Sequence, residues 1–276
     1  IFITKRNLRM PTAYINNHNM YYEIHGEGPP AVYIGGWDTF CHGREGFLAR
    51  GMTEKYSVLL VDYRGIGESD DDLSITPSTE LYADDIIELL DHLGMTNTYF
   101  VGLVGIGACI GQYVALKRPD LVRCMVNMGC WTYSDECLRD QLNALATMHE
   151  KAGFLAFQEL VAVYSFRPDY YITNRQKLLG SGGVWGILEG NLQAHLRFVE
   201  ACNGHDIRPH LKDIPAPTLV IHAGLDVITG PRTTLPLEQG LRNSTGVSMN
   251  EVAHVVAGKE EKIAFCKILH DFLDAH

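Results

Sequence analysis

The C-terminal third of the chain contains an aspartate and a histidine placed as an acid–base pair. Asp226 follows a predicted strand, Thr218 to His222, and His254 lies between a predicted strand, Gly246 to Val252, and the last helix. A carboxylate hydrogen-bonded to an imidazole holds one ring tautomer and stabilises the protonated ring, so such a pair can accept a proton. The alternatives are a turn-capping aspartate and a surface histidine.

The middle of the chain contains a glycine-rich turn between a predicted strand, Thr98 to Leu103, and a predicted helix, Ile106 to Lys117. The turn reads Gly102-Leu-Val-Gly105-Ile-Gly107, and no serine lies between Ser78 and Ser134. Closely spaced glycines after a strand can bind a dinucleotide, but the acidic residue expected about 20 residues further on is missing. Nucleotide binding is therefore not predicted.

Strands and helices alternate around these residues. Continuous apolar strands separated by amphipathic helices are typical of a parallel sheet covered on both faces. Besides those named above, the predicted strands are Thr12 to Ile15, Met20 to His25, Ala31 to Ile34, Ser57 to Asp62 and Val122 to Met128.

A helical stretch interrupts this alternation between about Trp131 and His205. We interpret it as a helical cap inserted over the sheet. The predicted organisation is an N-terminal appendage of residues 1–11, a core of residues 12–130 and 206–276, and a cap of residues 131–205.

Several motifs resemble, in order and spacing, those of the α/β-hydrolase family over nearly the whole chain from about Tyr14. They are Gly35-Gly36-Trp37 after a strand, the loop Asp62-Tyr-Arg-Gly-Ile-Gly-Glu-Ser69, the strand, turn and helix from Gly102 to Pro119, Gly224-Leu-Asp226 and Val252-Ala-His254. The resemblance implies an α/β fold with a mostly parallel, eight-stranded sheet flanked by helices. The layout is closest to that of capped enol-lactonases and carbon–carbon bond hydrolases.

The resemblance also implies roles for individual residues. His254 is the general base, Asp226 orients it, and the backbone N–H groups of Trp37 and Ile106 form the oxyanion hole. Counting back from Pro119 places Gly105 at the nucleophile position, where the family has serine in a Gly-x-Ser-x-Gly turn, and Leu103 replaces the first glycine.

The missing serine has three explanations. Gly105 is an engineered, inactivating change, or Cys109 supplies a thiol, or glycine is natural and the chemistry needs no covalent intermediate. Cys109 lies a full helical turn beyond Gly105 and is interpreted as a core cysteine. Without a nucleophile, proton transfer, carbon–carbon cleavage, cyclisation and direct hydration remain possible.

The sequence therefore predicts a hydrolase-like enzyme acting on a small ester, lactone or β-dicarbonyl compound, with lyase or isomerase chemistry possible. Its expected pocket residues are Gly36, Trp131, Tyr164 and Trp185. The alternative is a catalytically silent protein that binds or senses a ligand. Retention of both Asp226 and His254 favours the enzyme.

Composition limits the partners. With 23 Lys and Arg against 33 Asp and Glu the net charge is −10, and the chain has no basic stripe, so neither nucleic acid nor an anionic membrane is an expected partner. The uncharged run from Leu93 to Leu116 is interpreted as buried strand, turn and helix. Seven scattered cysteines without a C-x-x-C pair favour reduced thiols and a cytoplasmic location. No cofactor or metal is expected, and a homodimer is possible.

Overall fold

The computed structural model describes residues 11–276, in which eight strands form one sheet. The predicted N-terminal appendage lies outside the described residues, apart from Pro11. The sheet order is β1-β2-β4-β3-β5-β6-β7-β8. The strands are β1 (Thr12–Ile15), β2 (His18–His25), β3 (Pro30–Ile34), β4 (Ser57–Val61), β5 (Thr98–Leu103), β6 (Val122–Met128), β7 (Thr218–Ala223) and β8 (Ser244–Met249).

The pairing confirms the predicted, mostly parallel sheet. Strand β2 pairs antiparallel with both β1 and β4, and the remaining neighbours are parallel. The hairpin between β1 and β2 turns through Asn16 and Asn17, both at positive φ, as the right-handed strand twist favours. Residues of β3 alternate between two core clusters, so both faces of the sheet are covered.

From β3 onward, helices alternate with the strands along the chain, and they cover both faces of the sheet. The helices are α1 (Met52–Lys55), α2 (Thr79–Leu93), α3 (Ile106–Lys117), α4 (Glu136–Ala152), α5 (Phe154–Ser165), α6 (Pro168–Leu178), α7 (Leu192–Asn203), α8 (Pro231–Gly240) and α9 (Lys259–Ala275). Helices α2 and α3 contribute to one core cluster, whereas α1 and α9 contribute to the other. Among residues 11–276, no helix has the length and apolarity needed to cross a membrane.

Helices α4 to α7 form the insertion between β6 and β7. Their buried residues belong to the same core cluster as those of α2 and α3. The two ends of the insertion lie side by side, because Tyr133 and Asp206 form an antiparallel bridge. The insertion therefore leaves the sheet and returns to it at one place.

The strand β8 is shorter at its C-terminal end than predicted. It stops at Met249, and the chain turns through Asn250 and Glu251, with the Val252 N–H donating to the Met249 carbonyl. The Val252 carbonyl instead accepts a hydrogen bond from Leu225 N, in the loop after β7. The loop that carries His254 is therefore longer than the sequence indicated, and it is attached to the loop after β7.

Candidate active site

The structure brings His254 and Asp226 into direct contact. His254 Nδ1 donates to Asp226 Oδ2 at 2.9 Å. The other carboxylate oxygen, Oδ1, accepts from the backbone N–H groups of Ile228 and Thr229 at 2.8 and 2.9 Å. Burial would raise the pKa of Asp226, but the charge and hydrogen bond of His254, with the backbone N–H groups, hold it below its usual value. The carboxylate is therefore ionised at neutral pH.

Thr229 is a third member of this arrangement that sequence reasoning missed. Its Oγ1 lies 3.1 Å from Asp226 Oδ2 and 3.0 Å from His254 Nδ1. Because Nδ1 points to these oxygens, the second ring nitrogen, Nε2, remains the basic atom of the neutral ring. The available signal was a threonine three residues after the acid, a spacing at which a hydroxyl can join a turn around a carboxylate.

The glycine-rich turn joins β5 to α3 with two successive residues in left-handed backbone. Val104 has φ of 54°, and Gly105 has φ of 83° and ψ of −119°. Positive φ is unusual for a β-branched residue, so Val104 is a strained position. Two residues separate Gly102 from Gly105, where the Gly-x-Ser-x-Gly pattern has one between its first glycine and the serine, so Leu103 stands at the position of that glycine.

Two other glycines of this turn allow close backbone approach. A Cβ on Gly102 would lie 2.7 Å from the Gly107 carbonyl oxygen, and one on Gly107 would lie 2.4 Å from the Gly35 carbonyl oxygen. A side chain at either position would push α3 away from β5 or from the end of β3. Gly102 therefore provides the close packing although it stands one residue earlier than the family pattern places its first glycine.

Gly105 faces open space. A Cβ built there would meet nothing closer than the Trp131 ring, at 3.7 Å, an ordinary van der Waals contact. The position has room for a side chain, although its backbone conformation is one that side-chain-bearing residues rarely adopt.

Two backbone N–H groups lie beside Gly105. Neither Trp37 N nor Ile106 N donates to an acceptor within residues 11–276. Ile106 is the first residue of α3, where the helix dipole favours negative charge. A Cβ on Gly36 would lie 2.6 Å from the Val104 carbonyl oxygen, so this glycine lets the Trp37 turn approach the start of α3.

These groups line one cavity. The lining residues are Gly36, Trp37, Val104, Gly105, Ile106, Trp131, Leu142, Leu145, Val161, Trp185, Ile228, Thr229 and His254. The space open to the centre of a water molecule is about 40 Å³. All three tryptophans of the chain are among the lining residues.

Tyr164 and Cys109 do not line this cavity. Tyr164 does not line it and is 42% exposed, while Val161, one turn earlier on α5, does line it. The prediction of Tyr164 as a pocket residue is therefore not supported by its position. Cys109 is fully buried, its Sγ faces the Trp131 carbonyl at 3.7 Å, and burial raises the pKa of its thiol well above the usual value. It has the environment of a core cysteine.

The comparisons with known proteins agree with this architecture. The family model described as alpha/beta hydrolase fold matches residues 33–260. A protein of Azorhizobium caulinodans named as a carbamate hydrolase, RutD, is 26% identical over 266 residues, covering 93% of this chain and 98% of that protein. A RutD of Stutzerimonas stutzeri is also 26% identical, over 92% of this chain and 96% of that protein.

Solved structures show the same fold. The enol-lactonase of Burkholderia xenovorans matches 96% of this chain and 100% of its own, with a TM-score of 0.80 and 22% identity. An alpha/beta hydrolase enzyme from a Medee basin deep-sea metagenome library covers 96% of this chain and 97% of its own, with a TM-score of 0.84 and 22% identity. The prediction of a hydrolase-like enzyme is confirmed at the level of the family. The match over residues 33–260 shows that the chain belongs to the α/β-hydrolase fold family, as its motifs predicted.

Proposed function

We propose that the protein hydrolyses small carbonyl compounds by general-base catalysis, without a covalent intermediate. One observation carries the proposal: His254, hydrogen-bonded to Asp226, lines the same cavity as two free backbone N–H groups. The residue beside them, Gly105, has no side chain that could act as a nucleophile. A base and an oxyanion site are the parts of hydrolysis that remain useful without a nucleophile.

The reaction begins with water held between His254 Nε2 and the substrate carbonyl carbon. His254 takes a proton from this water as its oxygen bonds to the carbon, and the carbonyl oxygen becomes an oxyanion held by the N–H groups of Trp37 and Ile106. Asp226 stabilises the imidazolium. The protonated ring then donates its proton to the leaving group as the bond to that group breaks. Water is consumed, and an acid and an alcohol or amine are released.

The shape of the turn supports a natural glycine rather than an engineered one. Replacing serine by glycine at one position changes one residue, whereas this turn also has Leu103 in place of a glycine and Val104 in left-handed backbone. With Val104 already strained, glycine at position 105 gives the second left-handed residue at no steric cost. Gly105 thus fits the turn around it.

The names of the relatives support a small substrate. The RutD proteins are named for carbamates, and carbamates, esters and lactones all present a carbonyl carbon that water can attack. An α-proton of a carbonyl compound is a second target for His254, because the same two N–H groups can hold an enolate. Cleavage or cyclisation through an enolate is the alternative reaction at this site, and silent ligand binding is the alternative without catalysis.

The test is turnover of small esters, lactones and carbamates by the unaltered chain, followed by NMR. We expect His254→Ala to abolish turnover, and His210→Ala, at an exposed histidine, to leave it unchanged. Turnover by His254→Ala would refute the role of His254 as the general base. If the folded, unaltered chain turned over no compound in the series, the result would favour a protein that binds a ligand without catalysis.

A further inference from the structure

We propose that the cavity selects short acyl or carbamoyl groups. This inference rests on the proposed function for the chemistry, but the selection itself depends on the walls of the cavity. Two features support it: the buried side chains that bound the space, and the way in which the cap is attached.

The roof of the cavity limits the length of the substrate. Leu142 and Leu145 of α4 and Val161 of α5 are buried, each at most 4% exposed, and all three line the cavity. These side chains leave the 40 Å³ of space given above. Each further methylene of a substrate must displace a packed side chain, which costs binding energy in a close-packed interior.

Hydrogen bonds and an ion pair attach the cap to the core near Asp226 and near the two backbone N–H groups. Near the acid, Gln141 Nε2 on α4 donates to the Val227 carbonyl at 3.1 Å, and Asp135 at the start of α4 pairs with Arg232. Near the oxyanion site, Asp38 Oδ2 accepts from Trp185 N at 2.9 Å. These contacts attach α4 and the Trp185 segment to the core on both sides of the site.

The tryptophans provide an assay that needs no turnover. Because all three line the cavity, intrinsic fluorescence reports its occupancy. Unreactive amides of increasing length, acetamide to hexanamide, test size. We expect saturable quenching by acetamide and binding of hexanamide weaker by about tenfold or more.

Two valines of α5 give a matched pair of variants. Val161 lines the cavity, whereas Val163 is 52% exposed and does not. We expect Val161→Ala to move the preferred amide one or two carbons longer and Val163→Ala to leave the preference unchanged. Equal binding of hexanamide and acetamide by the unaltered chain, or no saturable quenching by any amide, would overturn the inference.

The two proposals fail separately. Size-selective binding of amides without His254-dependent turnover would refute the proposed hydrolysis and leave the selection in place. Turnover of esters with long acyl groups that depends on His254 would refute the selection and leave the proposed hydrolysis in place.

Discussion

Buried His205 makes the stability of the protein depend on pH in a way that one substitution isolates. Its ring lies within the core, with Nδ1 2.9 Å from Thr79 Oγ1 and Nε2 3.2 Å from Gln112 Oε1. Burial lowers the pKa of His205 to about 3, despite the neighbouring charge of Asp206 and a hydrogen bond to the Trp131 backbone, which both raise it. In the unfolded chain the same ring has a pKa of about 6.5.

The sign follows from proton binding. Between pH 6.5 and 3, His205 binds a proton in the unfolded state but not in the folded state, so lowering the pH favours unfolding over this range. The neutral ring therefore stabilises the fold fully only above the unfolded pKa. For one group shifted this far, lowering the pH from 7.5 to 5.5 reduces the free energy of unfolding by about 1.4 kcal/mol.

The assay is urea unfolding followed by circular dichroism at both pH values. We expect the loss of stability between pH 7.5 and 5.5 to be smaller by about 1.4 kcal/mol in His205→Gln than in the unaltered protein. His210→Gln, at an exposed histidine, is the control and should keep the original difference. An unchanged pH difference in His205→Gln would refute the neutral, buried ring on which the reasoning depends.

Three further substitutions test the site itself. Gly105→Ser should fold, because its side chain has space, but lose about 1–3 kcal/mol to backbone strain, measured by urea unfolding; unchanged stability would contradict the left-handed turn. Thr229→Val keeps the shape but removes the hydroxyl beside Asp226 and His254, so we expect a loss of about 1–3 kcal/mol and slower turnover; a silent change would remove Thr229 from the arrangement. Asp38→Ala removes the acceptor of Trp185 N and the carboxylate that pairs with Arg44, so the fluorescence should shift to the red and hexanamide should bind as well as acetamide. Asp38→Asn keeps an acceptor for Trp185 N, so its selectivity for acetamide over hexanamide should lie between those of the unaltered chain and Asp38→Ala. Retained selectivity in Asp38→Ala would show that the hydrogen bond from Trp185 N to Asp38 is dispensable.

Much of the core could be predicted from local sequence. The limits of β5, α3 and β6 agree with the predicted ones, because continuous apolar strands end at glycines and the helix ends before Pro119. The Asp226 and His254 contact followed from their positions after two adjacent strands.

The cap shows where that reasoning fails. Helix α5 is apolar almost all round, so periodicity could not tell which face is buried. Its polar Gln158 is buried, because it donates to the Gly180 and Val184 carbonyls, while Leu155 and Tyr164 are exposed. Tyr164 was predicted as a pocket residue for this reason.

Other features depend on contacts between distant segments. The left-handed Val104, the tie from Asp38 to Trp185 N and the small cavity arise only when the turns and the cap pack together. The Gly180 segment, whose glycines suggest a hinge, is held at both ends by Gln158. Local propensity carries no record of such partners.

Intact-protein mass spectrometry during turnover tests the central claim, that His254 acts without a covalent intermediate. The unaltered chain and Gly105→Ser are quenched at short times with the best small ester or carbamate. The account predicts that the unaltered chain turns the substrate over with no added mass, whereas any adduct in Gly105→Ser is confined to residue 105. A chain that turns over substrate only after Gly105→Ser, or that accumulates an acyl adduct while Gly105 is in place, would contradict it.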